Sequence, residues 1–192
     1  MLNPFNVLME AKVMQNVRNL TLTAVMLALL IVLGLLPGIP LGIIPVPLVL
    51  QNMGVMLVGL ILGPRYGTIA VGLLLLLVGL GLPILTGGRG GAAMFVGPTA
   101  GYMLGWLLVP VSIWGLTQIG GSAATSWWGQ FLIVLLAGVL LVDLCGTLWL
   151  AHQADMPVAA AMIANMAIIP GDILKAGLTV VLVRRLPKQH VG

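Results

Sequence analysis

Long apolar runs recur along the whole chain, separated by short stretches rich in glycine, proline or charge. About 20 apolar residues in a row are enough for a helix to span the hydrocarbon core of a bilayer. Such runs fold as helices there, because lipid offers no partners to backbone polar groups. Of the 192 residues, 60% are hydrophobic and 6% charged, which is outside the range of soluble domains. The sequence therefore predicts an all-α membrane protein with six transmembrane helices.

The predicted elements follow the apolar runs and the breakers between them. The six helices cover about residues 20–36, 48–62, 68–82, 97–119, 130–151 and 158–183. Residues 1–19 are predicted to form a cytoplasmic N-terminal segment, residues 20–185 the membrane domain and residues 186–192 a cytoplasmic tail. Four prolines exclude regular helix from residues 37–47, and the apolar character of this segment predicts that it packs into the protein.

Basic residues are unevenly distributed between the predicted loops. Arg89 stands alone on one side, whereas the other side holds Lys12, Arg18, Arg65, Arg184, Arg185 and Lys188. Cytoplasmic loops carry an excess of lysine and arginine, so both termini are predicted to be cytoplasmic. These basic residues flank apolar segments, so they act as topology determinants and do not predict a nucleic-acid partner.

Two opposite charges lie inside the last apolar run. Asp172 and Lys175 follow Pro170 and Gly171, and their spacing of three puts them on one face of a helix. A charge at the bilayer centre costs about 2.5–3.5 kcal/mol on insertion scales, so such residues normally pair and mark a site. The Pro-Gly pair predicts a broken helix, as in the ligand sites of transporters. A salt bridge that only joins two helices is the alternative to a binding site.

Other residues could contribute to a site. Arg89 lies among four glycines, which can present backbone N–H groups to an anion, although a solvated loop is an equal alternative. Asp143 lies within helix 5 and is interpreted as a residue that joins helices or as a pocket wall. Tyr102 and Trp106 stand one helical turn apart and fit either a pocket or an interfacial aromatic belt.

Motifs for catalysis are missing from the sequence. It contains no Gly-x-x-x-x-Gly-Lys-Ser/Thr phosphate loop, no Gly-x-Ser-x-Gly and no His-Glu-x-x-His. Its single cysteine and two histidines do not form a metal-binding cluster, so neither a metal nor an enzymatic role is expected. Ala24 and Ala28 lie four apart on the first predicted helix, a spacing that allows another helix to approach closely.

The order of these motifs resembles the BioY family, the biotin-specific substrate-binding (S) components of energy-coupling factor (ECF) vitamin transporters. The resemblance covers most of residues 20–185. It is carried by Ile44-Pro45-Val46-Pro47-Leu48-Val49-Leu50-Gln51-Asn52-Met53-Gly54-Val55-Met56-Leu57-Val58-Gly59, Leu62-Gly63-Pro64-Arg65-Tyr66-Gly67, Gly87-Gly88-Arg89-Gly90-Gly91, Gly97-Pro98-Thr99-Ala100-Gly101-Tyr102 and Pro170-Gly171-Asp172 with Lys175. Asn52 departs from the threonine common at its position, and Ala100 from the usual glycine.

The resemblance implies an S-component fold in the plasma membrane of a prokaryote. It implies high-affinity binding of biotin as the transported ligand, with no cofactor, and two sets of functional residues. The substrate set is Asp172, Lys175 and Arg89, with Gln51 and Tyr102 as weaker candidates. Ala24 and Ala28 would contact a transmembrane coupling protein, which acts with two ATPases. An S component for another vitamin and a proton-coupled carrier that uses Asp143 and Asp172 are the alternatives.

Overall fold

The structure is a computed structural model that describes residues 4–40, 42 and 46–186. Within these residues all regular secondary structure is helical and no β-strand occurs. The α-helices are α1 (Pro4–Leu35), α2 (Gln51–Gly79), α3 (Ala100–Gly120), α4 (Trp127–Val134), α5 (Leu141–Gln153), α6 (Val158–Asn165) and α7 (Ile169–Arg185). The sequence-based prediction of an all-helical protein is therefore confirmed for the described part of the chain.

Helix α1 is longer than the sequence predicted. It runs without interruption from Pro4 to Leu35, whereas the first helix was expected to begin at about residue 20. The expectation was wrong because polar side chains mark the end of an apolar run and not the end of a helix. No glycine or proline occurs between Pro4 and Gly34, so nothing breaks the backbone hydrogen bonds. At 32 residues the helix is roughly 48 Å long, more than a bilayer core needs.

Helix α2 is a hairpin of two helical arms. Gly63 has φ 70° and ψ −170°, a conformation that only glycine adopts readily, and Pro64 then starts the second arm. The two ends of α2 consequently meet, since the Gln51 Nε2 amide donates to the carbonyl of Ile84 at 3.4 Å. This confirms the turn that the sequence predicted between its second and third helices.

The two remaining apolar runs contain irregular turns. A π-helical turn, Leu135–Leu140, joins α4 to α5 into one long run from Trp127 to Gln153. Helices α6 and α7 are bent by 54° across a break after Asn165. The sequence had placed the break at Pro170 and Gly171, but the structure places it a few residues earlier. Proline is tolerated in the first turn of a helix, and Pro170 occupies that position in α7.

Leucine and valine side chains cover much of the outside of the bundle. On α3 and the α4–α5 run the exposed apolar residues repeat at helical spacing, as in Leu104, Leu108 and Val111 or Leu136, Leu140, Leu144 and Leu148. In the part of the chain that the structure describes, four helices are long and apolar enough to cross a membrane, and the bent α6–α7 pair makes a fifth candidate. The chain is therefore a multi-pass membrane protein.

The helices place their ends in two groups. One group, which we call the cavity end after the cavity described below, contains the starts of α2, α3 and α7 and the loops that follow α1, α2 and α5. The opposite end holds the Gly63 turn and the α3–α4 connection, to which Arg184 is tied by a 3.1 Å bond to the Thr125 carbonyl. Lys188 and the expected tail lie outside the described residues, apart from Leu186.

The proline-rich segment pairs with itself at the cavity end. Ile39 and Leu48 exchange two backbone hydrogen bonds of 3.0 and 2.9 Å. Val46 is buried, but Ile39 is 61% exposed. The expectation that this whole segment packs into the protein is thus wrong for residues 37–40, which are exposed or half-buried, whereas Val46 and Pro47 line the cavity.

Candidate functional site

A cavity opens at the cavity end, between the first turns of α2, α3 and α7. Its walls combine apolar side chains from the proline-rich segment and α3 with polar groups from five separate parts of the chain. The polar and charged residues that line it are Gln51, Asn52, Thr86, Arg89, Thr99, Tyr102, Asp143, Asp172 and Lys175. Helix breaks at residues 36–50, 80–99 and 166–168 bring these groups together around one cavity.

Asp172 and Lys175 form an ion pair in the wall of this cavity. The Lys175 Nζ lies 2.5 Å from the Asp172 Oδ1, and the two side chains are 7% and 5% exposed. The ammonium also donates to the backbone carbonyl of Val49 at 2.7 Å. That carbonyl has no helical partner, because it belongs to the extended stretch before α2. The pair is therefore satisfied on one side and faces the cavity on the other.

Asn52 holds the second oxygen of Asp172. Its Nδ2 donates to the Asp172 Oδ2 at 3.2 Å and to the Gly138 carbonyl at 3.3 Å. Gly138 lies in the π-helical turn, where the regular hydrogen-bond ladder is interrupted and a carbonyl can turn outward. The side chain of Asn52 thus connects α2 to both the π-helical turn and α7, and its bond to Asp172 fixes the rotamer of that carboxylate.

Tyr102 and Trp106 form the aromatic wall of the cavity. Both are buried, and the Tyr102 hydroxyl donates to the Asn165 Oδ1 at 2.6 Å. Gly146 of α5 lies directly against the Tyr102 ring, where any side chain would collide with it. The structure thus places these aromatics in a pocket and not in an interfacial belt.

Gln51 lines the cavity but mainly supports the fold. Its Nε2 donates to the Leu30 carbonyl at 3.2 Å as well as to Ile84, so it joins α1, α2 and the loop after α2. Its Oε1 has no partner among the described residues. One side chain consequently holds the architecture and offers an acceptor to the cavity.

Arg89 lies at the outer lip of the cavity, in a tight loop closed by two backbone bonds between Leu85 and Arg89 of 3.0 and 3.1 Å. The side chain is exposed, and its Nε donates to the Thr86 carbonyl at 3.0 Å. This bond leaves the two terminal nitrogens of the guanidinium available. Arg89 also borders the vestibule outside, together with Pro37, Pro40 and Gly87.

Five oxygen atoms on the cavity wall are buried without a hydrogen-bond partner among the described residues. They are the Gln51 Oε1, the Asn52 Oδ1, the Thr86 Oγ1 and both carboxylate oxygens of Asp143. Buried acceptors of this kind are rare, because each loses its hydration without a replacement. Their concentration around one cavity describes a site built for a ligand with N–H or O–H donors.

The structure thus brings the predicted substrate-binding residues together in the cavity and leaves the two predicted partner-binding residues outside it. Asp172, Lys175, Arg89, Gln51 and Tyr102 all line the cavity. Ala24 and Ala28 lie elsewhere, exposed on the outside of α1.

Sequence reasoning missed three polar residues of the site. Asn52, Thr86 and Asn165 are buried at or beside the cavity, but the sequence analysis noted Asn52 only as a departure from the family's threonine and gave Thr86 and Asn165 no role. Each is an uncharged polar residue next to an apolar run, and that signal could have found them. Asp143 was noted, but without a preference for a role in the cavity.

Comparison with known proteins decides the family. Residues 8–190 match the model of the BioY family. The chain belongs to the BioY family. A relative from Lactococcus lactis subsp. cremoris, named biotin transporter BioY, is 52% identical over 91% of this chain and 93% of its own length. A BioY protein from Thermotoga maritima is 34% identical over 84% of this chain and 92% of its own length.

A solved structure has the same fold. It is described as the S component for biotin from an ECF-type ABC transporter, and it superposes with a TM-score of 0.87 at 52% identity. The match covers 92% of this chain and 94% of that one. The resemblance seen in the sequence motifs is therefore confirmed, and the BioY relatives are transporters and not enzymes.

Proposed function

We propose that this chain is the substrate-binding S component of an ECF-type importer and binds biotin with high affinity in the cavity between α2, α3 and α7. The observation that carries the proposal is the buried Asp172–Lys175 pair in the wall of a cavity that also holds unpartnered acceptors. Membership of the BioY family supports biotin over another vitamin. No observation favours the proton-coupled carrier.

The chemistry of biotin matches the walls of the cavity. Its ureido ring has two N–H donors and one carbonyl oxygen, which suit carboxylates and an ammonium respectively. The apolar sulfur-containing ring fused to it suits Tyr102, Trp106 and Met103, which are all buried on α3. Its valerate carboxylate suits the free guanidinium nitrogens of Arg89 at the lip. This order places the ureido ring deepest and the acid nearest the vestibule.

Transport requires energy from other chains. The sequence has no phosphate loop, so ATP hydrolysis would come from two partner ATPases coupled through a transmembrane protein. We place the coupling protein against Ala24 and Ala28, where the small side chains allow close helix contact. No cofactor or metal enters this scheme.

We also propose six crossings of a prokaryotic plasma membrane, with both termini cytoplasmic. The two arms of α2 count separately, because Gly63 reverses the chain. Apart from Arg89 and from Lys175, which lies in the cavity wall, the described basic residues lie towards the opposite end, which we assign to the cytoplasm by the positive-inside rule. In a Cys145→Ser background, Gly88→Cys should react with an impermeant thiol reagent added outside intact cells. Lys12→Cys should react only after lysis, and its labelling from outside would contradict this topology.

Binding tests the function directly. Purified protein is titrated with biotin, with desthiobiotin, which keeps the ureido ring and the acid, and with riboflavin and thiamine as controls. We expect tight binding of biotin, weaker binding of desthiobiotin and none of the other vitamins. Tight binding of riboflavin or thiamine with none of biotin would identify a different S component.

A further inference from the structure

Asp143 is the buried charge that the proposed function leaves without a role. It lies on α5, is 5% exposed and lines the same cavity as Asp172 and Lys175. Both of its carboxylate oxygens lack a hydrogen-bond partner among the described residues. An isolated carboxylate in an apolar interior is costly, so a purely structural Asp143 would be expected to bond to a neighbouring helix.

The groups nearest Asp143 do not hydrogen-bond to it. Asn165 lies close to Asp143, but no described donor, its amide included, reaches hydrogen-bond geometry with either carboxylate oxygen. The Lys175 ammonium bonds to Asp172 and to the Val49 carbonyl and not to Asp143. The carboxylate is thus not held by the structure that surrounds it.

Asp172 differs from Asp143 in this respect. Its Oδ1 is paired with Lys175 and its Oδ2 accepts the Asn52 amide. The strongest acceptors in the cavity that remain free are consequently the two oxygens of Asp143, since the Gln51 and Asn52 oxygens are neutral amides. Hydrogen bonds to a charged acceptor are roughly twice as strong as neutral ones.

We propose that Asp143 is a specificity-determining residue that accepts a hydrogen bond from a ureido N–H of biotin, separately from the Asp172–Lys175 pair. This inference rests on the proposed function. A ligand that lacks an N–H donor at this point leaves the carboxylate buried and unpaired, so Asp143 rejects it as well as attracting biotin. The two carboxylates then have different roles: Asp172 holds Lys175 in position, and Asp143 accepts a hydrogen bond from the ligand.

The first test is the affinity of two Asp143 variants for biotin. Asp143→Leu keeps the approximate shape without an acceptor, and we expect binding roughly 10- to 100-fold weaker than wild type. Asp143→Asn keeps one acceptor oxygen and should lose less. Asp155→Asn removes an exposed loop carboxylate and is the control, with affinity unchanged; asparagine is chosen because Asp155 has φ 49°, which leucine adopts poorly. Wild-type affinity in Asp143→Leu would overturn the inference and leave the proposed function intact.

The second test distinguishes direct contact from a structural effect. Biotin labelled with ¹⁵N in the ureido ring is bound at saturation to wild type and to Asp143→Asn, and its two N–H resonances are compared by NMR. We expect one resonance to shift between the two proteins and the other to stay. Two unchanged resonances, or an equal shift of both, would show that Asp143 does not accept from one N–H. Failure of the wild type to bind biotin would instead overturn the proposed function, and this inference with it.

Discussion

The cavity end and the outer face of α1 differ in how their side chains are connected. At the cavity end, Asp172, Lys175 and Asn52 share bonds that link α2, α7 and the π-helical turn. The alanine face, defined by Ala24 and Ala28, is exposed and has no polar side chain between Ala24 and the end of α1. One region is fixed by its own chain, and the other is free to meet a second protein.

This difference separates two functions that a transporter subunit must perform. A ligand site needs groups held in place before the ligand arrives, and buried bonds provide that. A contact with a coupling protein needs a smooth helix surface, because helices in lipid associate by close packing. Variants at the two regions should therefore affect different measurements, binding on one hand and uptake on the other.

The largest effect on binding is expected from the ion pair. Asp172→Ala and Lys175→Ala each leave the other charge buried without its partner, which costs about 3–5 kcal/mol and corresponds to roughly 10²–10⁴ in affinity. Titration of the purified variants with biotin measures it. Asp155→Asn, on an exposed loop, is the control, since asparagine tolerates the φ of 49° at this position. If neither variant changes the affinity, the pair only joins helices.

A smaller effect is expected from Asn52. Asn52→Leu removes the donor that holds the Asp172 Oδ2, and the carboxylate can then rotate away from its position. We expect a loss of about tenfold in biotin affinity, the size of one hydrogen bond to a charged group. Asn52→Thr should recover part of it, because a hydroxyl can donate to one of the two acceptors. Met53→Leu, one residue away, should bind as the wild type does; an equal loss there would indicate general damage to α2.

Arg89 should contribute less to biotin affinity than the ion pair or Asn52, since its guanidinium is exposed to water. An exposed charge contact is worth about 0.2–1 kcal/mol, so Arg89→Ala should weaken biotin binding by up to about fivefold. The loss should shrink as salt is added. For biotinamide, which lacks the carboxylate, the variant and the wild type should bind alike. Arg65→Ala, at the Gly63 turn, is the control, and a loss for biotinamide equal to that for biotin would place Arg89 elsewhere.

No effect on binding is expected from the alanine face. Ala24→Trp and Ala28→Trp fill the surface that we assign to the coupling protein, so ATP-driven uptake and co-purification with that protein should be lost. Biotin affinity of the isolated subunit should stay normal. Val25→Trp, 54% exposed on another side of α1, should affect neither. Reduced affinity would mean that the alanine face belongs to the subunit's own core.

Local patterns carried much of the fold and the charged core of the site. The Gly63-Pro64 turn depends on two adjacent residues, and the facing of Asp172 and Lys175 depends on a spacing of three. Both could be predicted, because the turn follows from the backbone preferences of glycine and proline and the shared face follows from helix geometry. The place of the break before α7 could not, because Pro170 is equally compatible with ending a helix and with starting one.

The hydrogen bonds between distant parts of the chain could not be predicted from the sequence. Asn52 meets Asp172 across 120 positions and Gly138 across 86, and neither distance leaves a trace in local periodicity. The free oxygens of Asp143 are likewise visible only once every neighbouring donor has been placed. These contacts depend on how the helices pack.

The central claim is that this cavity binds biotin through groups that the fold holds ready. The most direct test is to purify the wild type and Asp172→Ala from cells grown with biotin, denature both, and identify any released small molecule by its mass. We predict biotin in stoichiometric amount from the wild type and little or none from Asp172→Ala. A different molecule from the wild type, or equal biotin from both proteins, would contradict the claim.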